Sequence, residues 1–151
     1  AIILGSDQGR TVYKKKLINL VERYNLNKKI KFINHCKEMP LAYSLADVVV
    51  SASIEPEAFG RVAVEAQSMS KPIIASNIGG SKETILNKKS GLLYKFDDPR
   101  ELAKSLNTVI QLSQEELRSM GNEGRKNITK KFDVETMCDT NLNEYKKLLK
   151  N

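Results

Sequence analysis

Short apolar runs alternate with longer amphipathic segments through the first hundred residues of the chain. Residues 11–24 carry apolar side chains at helical spacing, whereas residues 29–33 alternate as a half-exposed strand does. Residues 47–51 are rich in valine, which is typical of a strand buried on both faces. The pattern predicts five strands, at residues 2–4, 29–33, 47–51, 72–75 and 91–94.

The helical segments lie between these strands and after the last one. They are predicted at residues 11–24, 40–46, 60–70, 81–86, 99–112, 114–130 and 134–149. Asp98, Ser113 and Asp133 are suited to cap the last three, and Ser113 with Glu116 forms a capping-box pattern. Strands that alternate with helices predict an α/β fold. We expect a Rossmann-like open parallel sheet with helices on both faces.

The length of 151 residues suits one domain with its own core. We therefore predict a single domain over residues 1–151. The apolar fraction is 40%, and no run approaches the roughly 20 apolar residues of a membrane span. The chain shows no signal-peptide pattern and opens within a strand without Met, so we interpret it as a fragment of a longer protein.

The formal net charge of +7 is compatible with several anionic partners. The lysines are spread along the chain without interleaved aromatics, which favours a solvated surface over a nucleic-acid site. Attraction to a membrane surface or an acidic substrate stays open as the alternative. Cys36 and Cys138 match no ligand spacing and suit a reduced cytosolic pair. With His35 as the only histidine, a His-based metal site is poorly supported.

Four polar loops follow predicted strands, at residues 5–9, 34–36, 53–60 and 77–80. In parallel sheets, ligands bind at the carboxyl ends of the strands, so these loops mark the expected binding edge. Two of the loops lead into helices, at Gly60 and Ser81, whose free amides and dipoles favour phosphate. The edge therefore predicts a nucleotide or another phosphorylated ligand.

Two carboxylates accompany the helix predicted to begin at Gly60. Glu57 precedes the helix, and Glu65 lies about a turn and a half into it. A carboxylate has acceptor oxygens suited to vicinal hydroxyls, so Glu65 could bind a ribose and Glu57 the hydroxyls of a group beyond the phosphates. The alternative is an ordinary ion pair of Glu57 with Arg61, with Glu65 as an exposed helix residue.

Residues 57–65, E-A-F-G-R-V-A-V-E, resemble the E-x7-E signature of family 4 retaining glycosyltransferases. Further stretches resemble other motifs of that family in the same order. They are Leu4-Gly5 with Arg10, and residues 30–34, 45–53, 71–75, 79–83 and 87–93. The resemblance implies the C-terminal, donor-binding domain of the two-domain GT-B architecture.

The resemblance also implies roles for individual residues. Glu57 would be the catalytic residue, contacting hydroxyls of the transferred sugar, and Glu65 would bind the donor ribose. The other implied donor-binding residues are Phe59, Gly60 and Arg61 through their amides, Gly5 at the cleft floor, Asn34 and His35 beside the base, and Ser53. No catalytic metal or cofactor is expected, because helix termini and positive side chains balance the diphosphate charge. The nucleotide-sugar, such as a UDP- or GDP-hexose, is a substrate.

The implied reaction is hexosyl transfer with retention to a glycan or lipid-linked acceptor, as in polysaccharide or lipopolysaccharide synthesis. The implied location is the cytoplasm, with peripheral membrane association of the full-length enzyme left open. The family's acceptor domain and its diphosphate-gripping Arg and Lys have no counterpart here, so the fragment alone is expected to be inactive. A nucleotide-sugar epimerase and a catalytically silent binding domain are the alternatives, the latter because Ala58 and Gln67 depart from the family pattern.

Overall fold

A computed structural model describes residues 1–149, which form two compact units, Ala1–Ala42 and the chain from Tyr43 onward. All strand pairs in both units are parallel, and helices connect the strands. The predicted α/β class is therefore confirmed. The five strands form a two-stranded sheet and a three-stranded sheet.

The first unit contains one parallel strand pair. Strand β1 (Ile2–Leu4) is followed by helix α1 (Thr11–Arg23) and strand β2 (Lys31–Ile33), with Ile3 opposite Phe32. This unit holds nine of the 25 Lys and Arg residues but only three of the 18 Asp and Glu residues. Most of the net positive charge therefore lies within the first 42 residues.

The second unit contains the longer part of the fold. Helix α2 (Met39–Ser44) leads into it. The elements that follow are β3 (Val49–Ser51), α3 (Arg61–Ser68), β4 (Ile73–Ser76), α4 (Ser81–Thr84), β5 (Gly91–Tyr94), α5 (Pro99–Ile110), α6 (Gln114–Lys131) and α7 (Val134–Leu148). Strand β4 lies between β3 and β5.

The core of the second unit is organised around the central strand. Every residue of β4 is buried, so both of its faces are covered. Ile74 packs with Tyr94 and Val109, and leucines of α5 and α6 close this cluster. Helix α3 contacts β3 and β4. The three strands thus present their carboxyl ends to one edge, where the loops toward α3 and α4 begin.

Strand β3 is shorter and more exposed than its sequence predicts. It covers Val49–Ser51, and Val50 is 40% exposed. The expectation of burial on both faces is wrong here because β3 is an edge strand of its sheet, with β4 as its neighbour. A valine-rich composition reports strand propensity and does not distinguish an edge strand from a central one.

The predicted helix caps are confirmed. The Asp98 carboxylate accepts hydrogen bonds from the first-turn amides of α5, where Pro99 occupies the first position. Ser113 and Glu116 form a reciprocal capping box at the start of α6, and Asp133 caps α7. Each cap satisfies amides that the helix itself cannot.

Helix α6 packs closely against α3 because two of its residues are glycines. A Cβ atom on Gly121 would lie 1.9 Å from the carbonyl oxygen of Ser70, and one on Gly124 would lie 2.9 Å from Cγ of Gln67. Nearby, an Arg125 Nη1 donates to the carbonyl oxygen of Ser68 at 2.7 Å. The two glycines therefore set the distance at which α6 supports the helix that carries Glu65.

Helix α7 differs from the other long helices because it buries no side chain. The sequence places Met137, Leu142, Tyr145 and Leu149 on one stripe, and these side chains are 50–86% exposed. None of the helices within residues 1–149 is long and apolar enough to cross a bilayer.

We expect Gly121→Ala to lower the free energy of unfolding by about 1–3 kcal/mol, because the new methyl group meets backbone that cannot move aside freely. Asn122→Ala, at the next and exposed position of α6, should change it by less than about 0.5 kcal/mol. Urea denaturation measures both. Equal midpoints for the two variants would show that α6 can separate from Ser70 without cost.

Candidate functional site

The loops that follow β3 and β4 are joined through their backbones. The amide of Gly80 donates to the carbonyl oxygen of Glu57 at 2.8 Å. A Cβ atom on Gly79 would lie 2.4 Å from the same oxygen, and one on Gly80 would lie 2.5 Å from the carbonyl oxygen of Phe59. This approach requires two residues without side chains, so the Gly79-Gly80 pair fixes the loop that carries Glu57.

Glu57 is exposed at this edge, and a neighbouring hydroxyl orients its carboxylate. The Ser53 Oγ donates to Glu57 Oε1. The Ser53 carbonyl in turn accepts a hydrogen bond from the buried Ser76 hydroxyl at 2.6 Å, so the end of β4 holds the base of the loop. The alternative in which Glu57 pairs with Arg61 is wrong, because Arg61 turns to Glu65.

Helix α3 begins directly behind this loop at Gly60, whose φ of +76° suits glycine. No side chain caps the helix, so its first amides face the loop without a side-chain acceptor. Phe59, next to Gly60, packs edge-on against Phe132 with ring centroids 5.7 Å apart. An uncapped helix N-terminus flanked by a fixed loop is suited to an anion.

Glu65 lies on α3 with both carboxylate oxygens engaged. The Tyr43 hydroxyl donates to Oε2 at 2.9 Å, and Arg61 Nη2 donates to Oε1 at 3.0 Å. The Glu65 side chain is 35% exposed, whereas that of Arg61 is 83% exposed. Glu65 is therefore a half-buried, oriented acceptor and not the exposed helix residue of the alternative.

Two buried tyrosines, Tyr43 and Tyr94, lie in the described part of this unit. Burial raises the pKa of Tyr43 far above its ordinary value, and the hydrogen bond to the Glu65 carboxylate adds to the rise. Burial also raises the pKa of Tyr94, and the Ser76 hydroxyl partly offsets that rise. Tyr43 therefore stays a protonated donor to Glu65 at any physiological pH.

The other predicted site residues belong to the first unit. Gly5 and Asn34 directly follow the paired ends of β1 and β2, and the Gly5 amide donates to the Ile33 carbonyl oxygen at 3.1 Å. Asn34 Oδ1 accepts from Lys14 Nζ at 3.1 Å, and His35 is exposed. Gly5, Asn34 and His35 are thus at the carboxyl edge of their own strand pair, as the sequence predicts.

The arrangement in the second unit is suited to recognise hydroxyls beside an anion. Each carboxylate has about four acceptor positions, so Glu57 and Glu65 keep capacity for further hydroxyl donors after their present bonds. Within residues 1–149, no three His, Cys, Asp or Glu side chains come together as metal ligands would. The prediction that no catalytic metal takes part stays a prediction.

Sequence reasoning named Ser53 and Arg61 but missed Tyr43, Ser76 and the part that Gly79-Gly80 plays in holding the carboxylates. Tyr43 and Ser76 carry no motif signal, and Gly79-Gly80 reads as an ordinary turn unless its partner loop is known. A weak signal existed at Tyr43, because a polar aromatic that occupies a buried helix position needs a partner for its hydroxyl. Nothing in the sequence indicates that this partner is Glu65.

Residues 1–127 match the family model described as glycosyl transferases group 1. The chain belongs to this family. It is 31% identical over 112 residues to spore coat protein SA of Bacillus subtilis, an alignment that covers 74% of this chain and 29% of that protein.

The structure is similar to solved members of the same superfamily. It superposes with a TM-score of 0.92 on a glycosyltransferase from Rickettsia africae, at 30% identity over 99% of this chain and 40% of the other. With Anabaena Alr3699/HepE, solved in complex with UDP, the TM-score is 0.91 at 28% identity, over 97% of this chain and 40% of the other. The chain thus spans less than half the length of these proteins, and the predicted GT-B relationship of the fold is confirmed.

Gly79→Ala should destabilise the second unit more than Gly60→Ala. Both glycines have a positive φ, so each alanine costs about 1–2 kcal/mol of backbone strain. At Gly60 the new Cβ would meet its nearest atom at 3.7 Å, whereas at Gly79 it meets backbone of Glu57 at 2.4 Å. We expect an additional loss of about 1–3 kcal/mol for Gly79→Ala in urea denaturation. Equal losses would mean that the Glu57 loop moves freely away from Gly79.

Proposed function

We propose that this chain is the C-terminal, donor-binding part of a retaining glycosyltransferase that uses a nucleotide-diphosphate sugar. The observation that carries the proposal is the pair of oriented carboxylates, Glu57 and Glu65, on either side of the uncapped start of α3. Family membership supports the transferase class. The UDP held by the Anabaena protein, which has the same fold over this chain, supports the ligand class.

In this proposal Glu65 accepts hydrogen bonds from the vicinal hydroxyls of the ribose. Its two oxygens are held by Tyr43 and Arg61, and lone pairs on both remain for the ligand. The diphosphate then lies at the start of α3, where the amides of Phe59, Gly60 and Arg61 supply positive partial charge.

Glu57 lies on the loop ahead of α3 and contacts hydroxyls of the sugar that is transferred. In the reaction, the bond from the anomeric carbon to the diphosphate oxygen breaks and a bond to the acceptor oxygen forms with the same configuration. The proton of the acceptor hydroxyl passes to the leaving diphosphate oxygen. The leaving diphosphate gains negative charge, which the helix N-terminus stabilises without a metal ion. Ser53 orients Glu57, and the acceptor is a glycan or a lipid-linked group. The roles that the resemblance implies for Gly5, Asn34 and His35, which belong to the first unit, stay predictions.

A second candidate function is a catalytically silent domain kept for assembly or for binding a partner. The observation that favours this candidate is the name of the Bacillus subtilis relative, spore coat protein SA. A silent domain has no need to hold two carboxylates in fixed orientations. An epimerase of related architecture would bind the same donor, and its product would be a different nucleotide-sugar.

Glu65→Ala should weaken nucleotide binding by about 2–3 kcal/mol, the value of one or two hydrogen bonds to a charged group. Calorimetric titration of the full-length protein with UDP, GDP and ADP in EDTA measures this loss and identifies the base. Glu123→Ala is the matched control, because Glu123 also pairs with a cation one turn along its helix. Unchanged affinity in Glu65→Ala would remove Glu65 from the ribose, and the absence of any binding would favour the silent domain.

Glu57→Ala should leave the affinity for the free nucleoside diphosphate intact. The same variant should lose about tenfold of the affinity for the matching nucleotide-sugar, because one hydrogen bond to the sugar is lost. Glu55→Ala, two residues earlier in the same exposed loop, is the control. A parallel loss for nucleotide and nucleotide-sugar would place Glu57 on the diphosphate side instead.

A further inference from the structure

We propose that Tyr43 is a positioning residue that fixes the Glu65 carboxylate and thereby sets how strongly the site requires the ribose hydroxyls. This inference rests on the proposed function, in which Glu65 accepts from the ribose. Tyr43 lies outside the E-x7-E stretch, on α2, and reaches Glu65 across 22 positions of the sequence.

Tyr43 is the buried one of the two donors that hold Glu65. Its side chain packs inside the second unit with 6% exposure, and its hydroxyl lies 2.9 Å from Glu65 Oε2. A buried ring has one orientation, so the hydroxyl position is fixed by packing and not by the hydrogen bond itself. The carboxylate therefore aligns to the tyrosine, and not the reverse.

Arg61 is a weaker constraint on the same carboxylate. Its side chain is 83% exposed and reaches Glu65 one helical turn away. Exposed ion pairs of this spacing contribute little and leave the arginine mobile. Of the two contacts, the Tyr43 hydroxyl is the one that can hold the plane of the carboxylate when no ligand is bound.

A fixed plane matters because vicinal hydroxyls need two acceptor directions at once. With Oε2 held by Tyr43, the remaining lone pairs of Glu65 point in set directions. Ligand binding then costs no conformational entropy of the Glu65 side chain to align them. Without the tyrosine hydroxyl, the carboxylate can rotate about its terminal torsion, which is broad for a glutamate. The site then still attracts the nucleotide but discriminates less between a ribose and a sugar that lacks a hydroxyl.

The test uses the full-length protein with UDP, GDP and ADP and their 2′-deoxy and 3′-deoxy counterparts, titrated by calorimetry. Tyr43→Phe should weaken binding of the ribonucleotide about two- to tenfold, the scale of one hydrogen bond. The ratio of ribo to deoxy affinity should fall as well. In a Glu65→Ala background, Tyr43→Phe should have no further effect, because a residue that acts through Glu65 loses its role with it.

Tyr94→Phe is the matched control, since Tyr94 is equally buried and lies in the same unit. Removal of the Tyr94 hydroxyl should leave the ratio of ribo to deoxy affinity unchanged. This inference would be overturned if Tyr43→Phe kept the wild-type ratio of ribo to deoxy affinity while Glu65→Ala lost it. The proposed function would then remain intact. An unchanged ratio in Glu65→Ala would overturn the ribose role of Glu65 itself. Additive losses in the double variant would show that Tyr43 acts only on general packing.

Discussion

The geometry of the candidate site depends on one backbone contact, between the turn after β4 and the loop after β3. The Gly80 amide donates to the Glu57 carbonyl, and the two glycines leave no space for a side chain between the segments. A loop held by its backbone can place an exposed carboxylate with little freedom. This arrangement restricts the sequence at positions 79 and 80, because both residues must be glycine for the loops to approach so closely.

Both carboxylates of the site take a hydroxyl donor, Glu57 from Ser53 in its own loop and Glu65 from Tyr43 on another helix. Hydroxyl donors orient a carboxylate without neutralising its charge. The carboxylates therefore stay ready to accept from a polyhydroxylated ligand, whereas a buried cation would satisfy them more completely. Arg61 is the exception, and its exposure limits what it contributes.

Much of this arrangement could be predicted from local pattern, because strand alternation, helix caps and the E-x7-E spacing are properties of neighbouring residues. The capping box at Ser113 and the cap at Asp98 illustrate this. What could not be predicted are contacts between distant segments. The Val-rich composition of β3 predicts burial on both faces, but strand propensity does not report whether a strand lies at the edge of its sheet. No local pattern points to Tyr43, because its partner lies 22 residues away. Glu57 and Glu65 each lie four residues from Arg61, so helical spacing alone does not indicate which of them Arg61 pairs with.

Three helices meet at a single oxygen, the carbonyl of Thr84 at the end of α4. It accepts from the buried Gln67 of α3 and from Asn127 of α6, each at 3.1 Å. The position of α3, the helix that bears Glu65, is thus supported by α6, sixty residues further along the chain. A fragment of this protein that ends before Asn127 would lose this contact, and proteolysis within α6 would expose the face of α3 that α6 covers. Helix α7 buries no side chain and adds no comparable support.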